Sequence, residues 1–144
     1  MELKLAIGGD HAGFQLKLKI ISLLEEQGHL VEDFGPFDDT SVDYPDFVHP
    51  LAEAVERKEF DFGILICGSG NGVAMTANKH PGIRAALCWN EMLANLARSH
   101  NDANILCLAG RFVDYELAKE IVYIFLNTNF SGGRHIKRIE KIPI

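Results

Sequence analysis

The chain has 144 residues, 47% of them apolar and 24% charged, which is the make-up of one water-soluble domain with a proper core. No apolar run approaches the roughly 20 residues of a bilayer span, and a formal net charge of −6 argues against general nucleic-acid binding. The three cysteines, Cys67, Cys88 and Cys107, are odd in number and lack CxxC spacing, which argues against a disulfide framework or a zinc site.

The sequence opens directly into a strand-like segment, Leu3–Ile7, without the basic start, long apolar stretch and cleavage site of a secretory signal, so a cytoplasmic protein is expected. That strand ends in Gly8-Gly9. Asp10 then caps a helix running to about Gln27, with Gly28 as its stop. Leu16, Ile20, Leu23 and Leu24 share one face of it. His29–Phe34 reads as a second strand, Gly35 to Pro45 as a loop rich in Asp and Pro, and Asp46 to about Lys58 as a second helix. Phe62–Ile66 is a near-continuous apolar run, as a central parallel strand buried on both faces should be. It enters Cys67-Gly68-Ser69-Gly70-Asn71-Gly72, followed by a helix to about Asn78. Arg84–Leu87 and Ile105–Leu108 are strands, Glu91–Ser99 and Tyr115–Leu126 helices, and a short basic helix follows Gly132-Gly133.

Strand and helix thus alternate five times, with no repeat or linker. The pattern predicts a single domain over residues 1–144: a three-layer αβα, Rossmann-like, doubly wound, five-stranded parallel sheet. Ligands of such sheets bind outside the carboxyl ends of the strands, near a switch in strand order. The segments expected there are Gly8–His11, Cys67–Gly72 and Gly110-Arg111, which carry glycine and polar residues instead of core types.

Cys67 to Gly72 is the most informative of them. Glycines at alternate positions let the backbone approach a ligand and gather several N–H groups at one point, which a following helix reinforces. This is an anion hole, but not a common nucleotide site. The Gly-Lys-Ser/Thr of a Walker loop is absent, and Val73 stands where a dinucleotide fingerprint needs its third glycine. At the mouth of the hole, Cys67 is read as a general base or nucleophile, against the alternative of a buried structural thiol. Cys88 and Cys107, inside strands, are read as structural. Asp10 is a helix cap or a site residue, and His11 is either a structural histidine or one placed to donate to a phosphate. His100 ends a helix, where an imidazole can simply complement the dipole. Topology sets it at the amino edge of the sheet, opposite Cys67, so a catalytic His100 would serve a neighbouring subunit. Arg111, Arg134 and Arg138 are candidate oxyanion ligands, and the last two share a helix face. The run from Arg134 to Lys141 is otherwise an ordinary solvated helix face. His29, His49, His80 and His135 are read as structural or solvated, and no residue pattern suggests a metal.

Together, Gly9-Asp10-His11-Ala12-Gly13, Asp43-Tyr44-Pro45, Cys67-Gly68-Ser69-Gly70-Asn71-Gly72, Ala77-Asn78-Lys79, His100-Asn101-Asp102-Ala103-Asn104 and Gly132-Gly133-Arg134-His135 resemble the ribose-5-phosphate isomerase B / galactose-6-phosphate isomerase family. The resemblance spans nearly the whole chain. It implies homodimers or homotetramers with the active site between subunits, a small phosphorylated sugar as substrate, and no cofactor. It also implies roles. Cys67 matches the general base, and Asp10 and His100 the residues that open the furanose ring. The amides of Gly68 to Gly72, with Gly70 and Asn71 among them, match the enediolate hole. His11, Arg134, Arg138 and Arg111 match the phosphate ligands. Tyr44, Ser69 and Asn101 match positions lining the substrate, Ser69 being grouped with the catalytic set. The chain departs from many members in having Gly9 for a Ser and Ser69 for a Thr. One branch replaces the cysteine by a Glu in the following helix. Here Val73 takes that place and no Glu occurs between Cys67 and Trp89, consistent with the cysteine branch.

The resulting expectation is interconversion of ribose 5-phosphate and ribulose 5-phosphate through an enediolate. Alternatives are a six-carbon isomerase acting on allose or galactose 6-phosphate, or a non-catalytic module that binds a phosphorylated metabolite. A cysteine phosphatase is disfavoured, because no Arg follows Cys67 until Arg84.

Overall fold

The computed structural model describes every residue from Met1 to Ile144. The elements are β1 (Lys4–Gly9), a 3-10 turn (His11–Gly13), α1 (Phe14–Glu26), β2 (Leu30–Asp33), α2 (Pro45–Glu56) and β3 (Phe62–Cys67). They continue with α3 (Asn71–Ala77), β4 (Ala85–Leu87), α4 (Glu91–Ser99), β5 (Ile105–Ala109), α5 (Tyr115–Asn127) and α6 (His135–Glu140). The expected elements all form, with ends displaced by at most three residues. The largest local difference lies after Asp10, which caps the 3-10 turn; α1 proper begins only at Phe14.

The five strands are all parallel in the order β2-β1-β3-β5-β4. Side chains alternate between the faces as the pleat requires. Leu5, Ile7, Ile64, Ile66, Leu106 and Leu108 enter one core with α1, α4 and α5. Ala6, Leu65, Cys67, Ile105 and Cys107 enter the other with α2 and α3. That makes three layers, αβα, in a doubly wound Rossmann-like arrangement. Each fully buried Leu or Ile contributes about 1.5–3 kcal/mol. No helix is long and apolar enough to cross a membrane.

From β1 the chain moves outward to β2, then returns to form β3 on the other side of β1. The crevice therefore opens at the carboxyl ends of β1 and β3. The segment from Asp33 to Tyr44 leads into the wall of this crevice, which it lines at Val42, Asp43 and Tyr44. Its first part is tied down by Phe34 N–H to Ile7 O (2.8 Å) and Gly9 N–H to Gly35 O (3.1 Å). Lys17, only 1% exposed, reaches it from α1. Its ammonium donates to Asp33 Oδ1 at 2.8 Å and to the Pro36 carbonyl, between the rings of Phe14 and Phe37.

All four histidines read as structural or solvated make a specific contact. His29 Nδ1 accepts from Leu3 N–H at 3.0 Å. His49 Nδ1 and His80 Nε2 are 2.8 Å apart, joining α2 to the segment after α3. His135 stacks on His100, ring centres 4.3 Å apart.

Candidate active site

A cavity of about 860 Å³ occupies the crevice, and Asp10, His11, Tyr44, Cys67, Ser69 and Arg111 line it. Asp10, 8% exposed, follows β1 directly. Its Oδ1 accepts from Ala12 N–H at 3.0 Å, so the residue caps the turn and faces the cavity at once. His11 Nδ1 accepts from Val42 N–H at 3.2 Å. That bond leaves Nε2 to carry the proton of the neutral ring, a donor suited to an anion.

Cys67 ends β3 and is 5% exposed, deep in the cavity wall instead of on its rim. One side of it packs in the core beneath α2 and α3, while the cavity reaches the other. Gly70 N–H donates to Cys67 Sγ at 3.2 Å, a donor that complements a thiolate. The turn that aims it needs Gly70 in the left-handed region (φ 79°), where glycine carries no penalty. Asn71 N–H bonds Ser69 Oγ at 3.3 Å. The N–H groups of Gly68, Ser69 and Gly72 have no acceptor in the protein, and these residues line the cavity with Cys67. Gly72 also lets the Tyr44 ring close over the loop, since a β-carbon there would lie 2.4 Å from Tyr44 Cζ. Arg111 N–H bonds Gly68 O at 3.0 Å, and its guanidinium passes over Gly68. The cation and the loop therefore come from one chain.

Not all the expected residues meet here. His100, Asn101, Arg134 and Arg138 lie outside this cavity, and Gly70 and Asn71 do not line it, their amides being taken up by Cys67 Sγ and Ser69 Oγ. His100 closes α4, and the Ser131 N–H to Ser99 O bond (2.9 Å) brings the start of α6 alongside, so that His135 covers His100. Arg134 and Arg138 are exposed in the same patch. Partial desolvation, then the proximity of His100, Arg134 and Arg138, pushes the His135 imidazole below its ordinary pKa. Asn101 lines a smaller, more enclosed cavity of about 430 Å³ at the amino ends of β4 and β5, with Arg84 and the tail Ile142–Ile144. Several polar groups of that cavity are already engaged. Asn78 pairs with both backbone groups of Ala85 (3.0 and 2.8 Å), and Arg84 bonds the Asn101 and Asp102 carbonyls. Only the larger cavity joins a sulfur, unpaired amides and a free cation.

Cys88 and Cys107 are buried; burial pushes the Cys88 thiol up to about 12 and the Cys107 thiol well above its usual value. The reading of the sequence missed Asp43, Asp46 and Phe112 as lining residues. Phe112 carried a signal: a large aromatic directly after Gly110-Arg111 at the end of β5, and it is 79% exposed.

A family model described as Ribose/Galactose Isomerase matches residues 5–142. The chain is 46% identical to ribose-5-phosphate isomerase B of Escherichia coli over 139 residues, covering 96% of this chain and 93% of that one. Its structure is similar to that of a ribose 5-phosphate isomerase from Thermotoga maritima, with a TM-score of 0.97 at 51% identity, covering 98% of this chain and 97% of that one. It is also similar to ribose-5-phosphate isomerase B from Mycoplasma genitalium with bound ribulose-5-phosphate, with a TM-score of 0.92 at 47% identity over 96% and 93% of the two chains.

Proposed function

The chain belongs to the ribose/galactose isomerase family and is a sugar-phosphate aldose–ketose isomerase; from that premise we propose that it interconverts ribose 5-phosphate and ribulose 5-phosphate, with Cys67 as the base. The observation that carries the proposal is the sulfur at the end of β3, held by the Gly70 amide in a cavity with Asp10, His11 and Arg111.

Ring opening comes first. The C1–O4 bond breaks, the O1 proton leaves and a proton is delivered to O4; Asp10 and His100 are the residues assigned to these transfers. The Cys67 thiolate then removes the proton from C2, and the developing charge falls on O1. The unpaired amides of the Cys67–Gly72 loop stabilise that charge without having to reorganise. Proton return to C1 and transfer of the O2 proton to O1 leave the ketone at C2. His11, Arg111, Arg134 and Arg138 hold the phosphate, so contacts remote from the reacting carbons keep the sugar in register. Since His100, Asn101, Arg134 and Arg138 stand apart from this chain's own cavity, the active unit in this reading is a dimer or a pair of dimers, each site completed by a second copy. No step calls for a cofactor.

Cys67→Ala tests this reading. A general base contributes about 10²–10⁴-fold, so turnover should fall by at least that factor while ribose 5-phosphate still binds in calorimetry. Turnover close to that of the unaltered protein would remove Cys67 as base. Parallel assays on ribose, allose and galactose phosphates fix the carbon number, and faster conversion of a six-carbon substrate would replace the pentose assignment.

A further inference from the structure

We propose that Asp102 is a positioning residue that sets the geometry of the His100-Asn101 turn through a clamp with Arg84 and Arg98. The proposal rests on the reading that His100 opens the sugar ring. Asp102 adopts φ 47°, one of two non-glycine residues in the left-handed region. For a residue other than glycine this region carries a cost, least for Asn and Asp.

The surroundings account for its persistence. Arg98 is 8% exposed and lies 4.8 Å from the centre of the Phe62 ring. Its Nη1 donates to Asp102 Oδ1 at 2.9 Å and to Ala103 O at 2.6 Å. Arg84 approaches from the other side. Its Nε donates to the carbonyls of Asn101 (3.1 Å) and Asp102 (3.0 Å), and its Nη2 reaches Asp102 Oδ2 at 3.4 Å. Arg84 is fixed in turn, its N–H donating to Asn104 Oδ1 at 2.8 Å. The Asp102 N–H bonds back to Arg98 O at 3.2 Å. Two cations and one carboxylate thus hold a reversed backbone directly after His100 and Asn101. Both of those side chains are left out of the clamp, and His100 rests on His135. The clamp fixes the backbone that carries His100, and with it the angle at which the imidazole is presented to another copy of the chain.

The two halves of the reaction separate the roles. Ribulose 5-phosphate has no furanose ring, because the hydroxyl that would close one is esterified. Exchange of its C1 hydrogen with solvent deuterium therefore needs the Cys67 base and the loop amides but no ring opening. Net isomerisation passes through the ring, in both directions by the same factor, since equilibrium fixes their ratio.

The experiment measures both rates, with melting temperature, for Asp102→Ala, Asp102→Asn, His100→Asn and Cys67→Ala. In Asp102→Ala net isomerisation should fall about tenfold or more while exchange stays within about twofold. Asp102→Asn, which tolerates the left-handed backbone and keeps an acceptor for Arg98, should recover part of the loss. His100→Asn should show the same split more strongly, and Cys67→Ala should lose both rates. The proposal is overturned if exchange and isomerisation fall together in both Asp102 variants, which marks a structural role, or if neither falls. An unchanged net rate in His100→Asn overturns it by removing the ring-opening role, and a retained exchange rate in Cys67→Ala removes the base instead.

Discussion

Replacing Lys17 by Met removes the only ammonium that binds the wall of the active-site crevice while keeping nearly the same side-chain volume. Breaking a sealed ion pair by deleting one partner costs about 3–5 kcal/mol. Here the stranded Asp33 carboxylate is 24% exposed and keeps the Gly35 N–H at 2.8 Å, so part of its charge is rehydrated. The loss is then about 2–3 kcal/mol. With an unfolding entropy of about 2.1 cal/mol/K per residue, 144 residues give about 0.3 kcal/mol/K, so Tm should drop by about 7–10 °C. Scanning calorimetry at neutral pH on Lys17→Met, Asp33→Asn and the double variant measures this. The double variant should be less destabilised than the sum of the singles by about 1–2 kcal/mol. Because the same segment carries Val42 and Tyr44 to the cavity, KM should rise as well. A shift below about 2 °C, or strictly additive losses, would show that Lys17 is rehydrated or replaced and that the pair does not hold the wall.

Gly72→Ala should leave Tm almost unchanged, since a gain of about 1 kcal/mol in helix propensity offsets local crowding. It should still raise KM about tenfold or more, because the new methyl meets the Tyr44 ring; an unaltered KM would show that Tyr44 does not touch substrate. Alkylation at pH 8 should modify Cys67 first and be blocked by ribose 5-phosphate, leaving Cys88 (pushed up to about 12) and Cys107 untouched until the protein unfolds. Mass spectrometry that found either strand cysteine labelled first would contradict the burial argument. His135 should titrate below the ordinary histidine value by NMR, and Arg138→Gln should move it upward. A depressed pKa means the folded chain binds this proton more weakly than the unfolded one. Its contribution is therefore in place above the ordinary histidine value and is lost as pH falls through the window beneath it. An unmoved resonance in the variant would remove the arginine from the causes.

The strands were legible because sheets covered on both faces need uninterrupted apolar runs, as in Phe62–Ile66 and Ile105–Leu108. The edge of the sheet on which His100 falls was legible too, because a helix leading into a parallel strand ends at the amino edge. What escaped the sequence depends on approaches between distant segments. Lys17 looks like any exposed helical lysine until the chain after β2 folds back across it. The His49–His80 pair exists only because α2 and α3 lie side by side on one face. The His100–His135 stack needs the chain after α5 to return beside α4. The left-handed backbone at Asp102 was not read from the sequence because part of its clamp comes from Arg84, 18 positions earlier.

The sulfur and the imidazole of this enzyme stand at opposite rims of the same sheet. In the reading above, no polypeptide owns a whole reaction centre, and each lends half to its companion. Two lineages of defective molecule, one without the thiol and one without the imidazole, would each fail to isomerise apart yet would rebuild one competent centre when mixed and allowed to exchange partners. Dilution past the point of dissociation would silence the intact protein while every strand stayed folded.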